Sequence, residues 1–173
     1  MPTQRLSPEK WITAGFLALA QKGPSALAAE PLARQLGTTK GSFYWHFKDV
    51  PAYHAALLRE WHAAALADVL DLLRSDGPAD ARLRQFGRSI LDDPAEAALR
   101  VWAHSDKTVA TTLAEVDAER LIYLEHLLKQ AGLRNPAFAQ AALASLIGLP
   151  QMQSHAAQHA AFDALVDTVL ALA

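Results

Sequence analysis

The 173 residues carry 16 lysines and arginines against 18 aspartates and glutamates, a net charge of −2, and 51% of them are hydrophobic. That length suits one compact domain, or a small domain fused to a larger one, with enough apolar residues for a sizeable core. The absence of cysteine excludes disulfides and thiolate chemistry and suits a reducing cytoplasm; no apolar run reaches the roughly 18 residues of a membrane span, and no apolar signal core opens the chain.

A net charge of −2 by itself argues against a nucleic-acid partner, but its distribution argues for one. Residues 1–50 hold six basic and three acidic side chains, a balance of +3, while residues 51–173 hold ten and fifteen, a balance of −5. A basic head on an acidic body fits a protein that sets one end on DNA.

Residues 1–6 form a short polar lead whose Arg5 is either solvated or set against a phosphate or the minor groove. Ser7-Pro8 reads as an N-cap and first helical residue and Gly23-Pro24 as a stop, so the spacing predicts a first helix with Trp11, Ile12, Gly15, Phe16 and Leu19 inward. Leu32, Ala33 and Leu36 share one side of a short second helix. Gly37 offers a positive-φ stop, and Thr39 caps a third helix in which Phe43 and Phe47, four apart, face inward. With Leu27, Leu32 and Leu36 they complete a three-helix core, leaving Lys40, Ser42, Tyr44 and His46 wholly or partly off the inner face. That is helix, tight turn, helix, with hydrogen-bonding side chains offered to an acidic groove.

The run Gly37-Thr38-Thr39-Lys40-Gly41-Ser42-Phe43-Tyr44-Trp45-His46-Phe47 closely resembles the helix-turn-helix of the TetR family of transcriptional regulators. Ala28 departs from the Thr or Ser often found at the start of that family's second helix. Pro31 is unusual in the first turn, where its missing N–H has no helical partner in any case. The resemblance implies an all-α protein with a helix-turn-helix DNA-binding domain over residues 1–49 and a helical effector-binding and dimerisation domain over 50–173. Carried onto matching residues, it implies that Thr39 and the helix N-terminus hold a phosphate. Lys40 then reaches a guanine or a phosphate, Gly41 lets the backbone come close, and Ser42 makes a short adaptable contact. Tyr44, His46 and Lys48 suit phosphates, and Trp45 either packs or edges onto the sugar-phosphate backbone. One head offers few base contacts, so two are needed, roughly 34 to 36 Å apart on a pseudopalindrome.

Asp49 caps a long helix from Val50 to about Arg74, whose first turn tolerates Pro51; its apolar stripe is Val50, Tyr53, Leu57, Trp61, Ala64, Leu66, Val69 and Leu73. The resemblance makes this rod the lever between head and body. Ser75-Asp76-Gly77-Pro78 signals a turn. Helices are then expected over about 79–91, with Leu83, Phe86 and Ile90 inward, and from Asp93-Pro94 through Leu99, Val101 and Trp102. Another runs over about 108–131, opened by Ser105 or Asp106 and ended by Gly132, with the stripe Val109, Leu113, Val116, Leu121, Leu124, Leu127 and Leu128. The phrase from Arg100-Val101-Trp102-Ala103 through Asp106, Asp117 and Arg120 to Tyr123-Leu124 also resembles the effector domain of one branch of the family.

Asn135-Pro136 opens a helix over 137–149 that is apolar on nearly every face and closes at Gly148-Leu149-Pro150. A polar stretch, Gln151 to Gln158, leads to a last helix over about 160–172. These two make a homodimer surface through a four-helix bundle, with Phe138, Ala142, Leu146, Leu149, Phe162, Leu165, Val166 and Val169 as its candidates. A cavity between the long helices would take a small-molecule effector, apolar by default, with Trp61, Phe86, Trp102, Tyr123 and Met152 as lining and His104 or His126 as polar handles. By the family's commoner habit the protein is a repressor that this molecule releases from its operator. A different class is a small helical enzyme or metal protein, invited by seven histidines and by His155 and His159 four apart. No His-Glu-x-x-His, paired acid and base, or phosphate-cradling loop accompanies them, so neither metal nor cofactor is expected. A dimerising adaptor without DNA binding is the remaining alternative, and the intact Thr39 to Lys48 run speaks against it.

Overall fold

The N-terminal helices are too short to stand alone in water and exist because their inner faces share one core. The computed structural model describes residues 6–152 and 155–171, so Arg5 lies outside the described residues. Helix α1 (Pro8–Lys22) leads through a 3-10 turn (Pro24–Leu27) to α2 (Ala29–Gln35), α3 (Lys40–His46) and the long α4 (Val50–Arg74). The body adds α5 (Ala79–Leu91), α6 (Pro94–Ala103), α7 (Lys107–Gln130), α8 (Ala137–Met152) and α9 (His155–Leu170), with no strand among the described residues. None of these helices is long and apolar enough to cross a membrane.

Local signals set most boundaries. Gly37 adopts φ +62° after α2, a region that costs a side chain but not glycine. Thr39 Oγ1 accepts the Ser42 N–H at 3.3 Å to open α3, Asp49 accepts that of Ala52 at 2.7 Å to open α4, and Asp93 and Asp106 cap α6 and α7 in the same way. Ser7 precedes α1 without a side-chain cap, and Pro8 and Glu9 stand in the first turn instead.

Helix α4 threads two apolar clusters. Tyr53, Leu57, Leu58, Trp61 and Ala65 belong to a first cluster with the head helices and with Leu99, Trp102, Val109, Leu113 and Val116 of α6 and α7. Val69 and Leu72 belong to a second with Leu83, Phe86, Tyr123, Leu146 and Phe162. The first cluster therefore does not stop at Asp49, and α1 packs directly on α6. At the far end of α4 the Leu72 carbonyl accepts from Ser75 Oγ at 2.7 Å, Arg82 Nη2 at 3.1 Å and Tyr123 Oη at 3.3 Å, so three elements are tied to one atom. Gly15 lies so close to the Tyr53 ring and Leu57 that a Cβ would overlap both, which is how α1 and α4 approach.

Several expected details differ. Along α4, Ala65 and Leu72 turn inward while Ala64 and Leu73 are exposed, because neighbours cover α4 on more than one side. Val101 is exposed on α6, and Arg120 takes a buried place on α7 where Leu121 is only half-buried; a paired charge cluster described below makes that possible. Helix α8 does not close at Pro150 but runs through it to Met152, and α9 starts at His155, ahead of the expected 160. Pro150 lies two residues before the end of α8 and removes only one late N–H bond, so the terminus tolerates it.

Candidate nucleic-acid interface

Phe43 is fully buried at the centre of the head, its ring 5.4 Å from Trp11, 5.3 Å from Phe47 and 5.2 Å from Tyr53. The edge-to-face geometries against Trp11 and Tyr53 are the favourable ones for aromatic quadrupoles. Tyr53 donates its hydroxyl to the Trp11 carbonyl at 2.8 Å, and burial pushes its phenol pKa far up, so it remains a neutral donor. One face of α3 is thereby locked.

The opposite face is open. Thr39, Lys40, Gly41, Tyr44, Trp45 and Lys48 are exposed, and Ser42 and His46 are half-buried, so none of the eight residues singled out from the sequence is taken into the core. Tyr44 exposes 52% and Trp45 69% of their surface, unusual for rings of that size. Lys40 Nζ lies 3.4 Å from the Glu30 carboxylate on α2, a partner the sequence reading did not anticipate. Chain separation of ten residues hides such a pair, and only the α2–α3 turn brings it together.

Two arrangements connect head and body. His54, half-buried on α4, faces the Leu27 carbonyl through Nε2 at 3.3 Å and meets the Trp102 ring of α6 edge-on at 4.9 Å. A carbonyl only accepts, so Nε2 carries the proton. Farther along, Arg100 donates to Glu96 and Asp117 at 2.6 to 2.9 Å, and Arg120 donates to both Glu96 oxygens at 3.0 and 3.2 Å. Arg120 also sits 5.7 Å from the Trp61 ring centre, and Trp61 donates Nε1–H to Asp93 at 3.1 Å. The Arg100 to Tyr123 phrase is thus in large part a closed ion cluster joining α4, α6 and α7.

The seven effector candidates do not line one common cavity. Trp61 and Trp102 belong to the first apolar cluster, and Phe86 and Tyr123 form a ring pair 5.3 Å apart in the second. His126 is exposed and bonded to Gln130, and Met152 is 78% exposed. His104 alone lines a cleft of about 360 Å³ between α6, α7 and α8, with Ala103, Ala110, Leu113, Ile147 and Gln151 among its walls. Of the dimer candidates, Ala142, Leu146, Phe162, Val166 and Val169 are buried within their own chain, while Phe138, Leu149 and Leu165 are half-buried. His159 Nε2 lies 2.8 Å from Asp92 Oδ1; the side chain of His155 is outside the described residues. No group of three or more potential metal ligands occurs among the described residues.

The comparisons bear on the helix-turn-helix head and on the helical body in turn. Residues 12–49 match the family of bacterial regulatory proteins, tetR family. The fold is shared with a transcriptional regulator from Rhodococcus sp. Rha1 at TM-score 0.72 and 22% identity, over 96% of this chain and 97% of that one. It is also shared with a TetR-family transcriptional regulator from Streptomyces coelicolor at TM-score 0.75 and 17% identity, over 97% and 96%. E. coli NemR in its reduced form matches at TM-score 0.70 and 18% identity, over 95% and 94%. At these identities the likeness to solved structures is one of fold, and curated protein sequences give no match. Residues 12–49 thus carry the tetR-family match, and the chain as a whole shares its fold with TetR-family regulators.

Burial holds His54 below its ordinary pKa of 6.5, against the opposing pulls of the Leu27 carbonyl and Asp106. An imidazole depressed in the folded state binds more protons when unfolded, so its contribution is full above 6.5 and is lost as pH falls through the folded value. Thermal midpoints are therefore expected to drop as pH falls below 6.5, and to drop less in His54→Gln, which keeps a donor without titrating. An equal drop in both proteins would assign the pH dependence elsewhere.

Proposed function

We propose that this regulator binds a pseudopalindromic operator as a homodimer through the outer face of α3, represses from it, and leaves it when a small molecule enters the body. The observation that carries the DNA reading is the division of α3. Phe43 anchors one face, and the other presents Thr39, Lys40, Ser42, Tyr44 and His46 on a head of positive charge. Lys40 suits a guanine edge, Tyr44, His46 and Lys48 suit phosphates, and the exposure of Trp45 favours its place against the sugar-phosphate backbone. In this reading residues 1–49 bind DNA and 50–173 hold the effector and the second subunit. Selection of bound fragments from a random library should return an inverted repeat. Lys40→Ala or Tyr44→Ala should weaken binding to it by about 1 to 3 kcal/mol per half-site without unfolding the protein. Unchanged affinity in both variants would remove the assignment of α3.

Dimerisation is supported by the composition of α8 and α9. Apart from Met152 at the end of α8, each turns most of its large apolar residues into its own chain and leaves small ones outside: Ala137, Ala141 and Ala144 on α8, and Ala161, Ala164 and Thr168 on α9. Small residues let two helix pairs approach closely into a bundle. A charge there tests the interface without cutting a cavity in the core, so Ala144→Glu with Ala164→Glu should yield folded monomers that bind the inverted repeat poorly. An unaltered dimer by light scattering would move the contact elsewhere.

For the effector we place the site in the cleft between α6, α7 and α8. Its walls are mostly apolar, and its one guanidinium, Arg100, is committed to Glu96 and Asp117. That favours an uncharged, largely apolar molecule with a single group for His104 or Gln151. The cleft is walled by Val101 and Ala103, the neighbours of Trp102, so an occupant that shifts α6 would reach His54 and the head. Ala110→Trp, which fills the cleft from a half-buried position outside the apolar cluster, should leave operator binding intact and abolish release by any compound that releases the parent protein. Normal release would place the site elsewhere.

A further inference from the structure

His104 caps the end of α6 and lines the cleft between α6, α7 and α8. Its Nδ1 lies 2.9 Å from the Arg100 carbonyl and 3.3 Å from that of Val101, both in the last turn of α6. A carbonyl oxygen only accepts, so Nδ1 carries the ring proton; the other tautomer would turn a lone pair on two oxygens. A neutral imidazole has one N–H, and Nε2 is therefore a bare acceptor. The other polar groups of the cleft narrow what can meet it. Arg100 is the one cation among the described residues of its walls, and its guanidinium commits four of its five N–H donors to Glu96 and Asp117. Asp117, in the same wall, only accepts, while the Gln151 amide offers a donor and an acceptor and so excludes nothing. An anion in the cleft would face the Asp117 carboxylate, and a cation would share a wall with Arg100.

We propose that the effector is an uncharged apolar alcohol or phenol that donates its O–H to Nε2 of His104. The inference rests on this cleft being the effector site, and it names the group by which an occupant is recognised there. A ketone, ether or carboxylate of similar shape brings only acceptors, so its oxygen would meet the Nε2 lone pair with no proton between them. A hydroxyl supplies that proton, and Ala110, Leu113 and Ile147 cover the apolar remainder of the molecule. Because Nδ1 stays bonded to the α6 carbonyls, a molecule held on Nε2 is held to the end of α6, the helix whose Trp102 meets His54. Donors are thus selected over acceptors at a single ring nitrogen, by its tautomer rather than by the shape of the cleft.

The test uses the full chain and three probes of nearly equal size: para-propylphenol, para-methylacetophenone and para-ethylbenzoate. NMR of protein labelled at the histidine ring nitrogens, with His104 assigned by its loss in His104→Phe, reads the tautomer directly. The ring should carry its proton on Nδ1 alone, and para-propylphenol should move the Nε2 resonance while leaving that of Nδ1 in place. By calorimetry the phenol should bind about tenfold more tightly than the ketone or the benzoate, the worth of one hydrogen bond. In His104→Phe, which keeps a ring and has no lone pair, phenol and ketone should bind alike. A proton on Nε2 in the parent protein would overturn the proposal, as would a ketone or benzoate that binds as tightly as the phenol, or a preference for the phenol that survives His104→Phe. Each of these leaves the cleft standing as a site. Binding of none of the three, or binding that Ala110→Trp leaves unchanged, would instead remove the cleft and this inference together.

Discussion

Burial of the Phe43 ring is the contact on which the rest of the structure depends. A helix of seven residues has two turns of hydrogen bonds and is marginal by itself, so α3 persists only while its inner face is covered. Besides Tyr44, its neighbour on α3, three aromatic rings from three parts of the chain cover it: Trp11 from α1, Phe47 from just beyond α3 and Tyr53 from α4. The Tyr53 hydroxyl then pins α4 to the Trp11 carbonyl. Orientation of the outward side chains of α3 is thus inherited from a core that contains none of them, and polar substitutions on the outer face can change that surface without touching the fold.

The body is held by a different kind of contact. Removing Glu96 and Arg120 from water is expensive, and the expense is offset only because the four charges of the cluster balance and nearly every donor finds an acceptor. Such a cluster is weak as a source of stability but strict about register, because a slide of α6 along α7 by one residue would strand a buried charge. The position of α6 decides where Trp102 meets His54, so the charge cluster sets the seat on which the head rests. Polar order in the body and aromatic order in the head meet in one residue of α4.

Much of this was legible in the sequence, for reasons that can be named. Caps and stops are local, so Gly37, Thr39, Asp49, Asp93 and Asp106 marked their boundaries with only chain neighbours to consult. The outward set on α3 followed from helical spacing once Phe43 and Phe47 were taken as inward. What could not be read was contact between distant segments. Glu30 and Lys40, His54 with Leu27 and Trp102, and Arg100 with Asp117 are paired by tertiary packing. The effector candidates show the same limit: large aromatic residues were singled out as lining, yet Trp61, Phe86, Trp102 and Tyr123 fill core, and the cleft walls contain no aromatic residue but His104. On α8 and α9 the bulky residues attracted attention, although a helix apolar all round hides its large side chains at home and shows its small ones.

The first apolar cluster runs from Trp11 to Val116 and takes in helices from both sides of Asp49. Its consequence concerns interchange. Were the head a detachable module, evolution or an engineer could exchange operator preference simply by splicing at the start of α4. Here α1 rests on α6, so a transplanted head would meet a foreign surface at Leu99 and Trp102 and would have to set a backbone carbonyl where His54 now finds that of Leu27. New operator preferences are therefore easier to reach by substitution on the exposed side of α2 and α3 than by shuffling whole segments, and a successful chimera must carry a matching α6 along with its head.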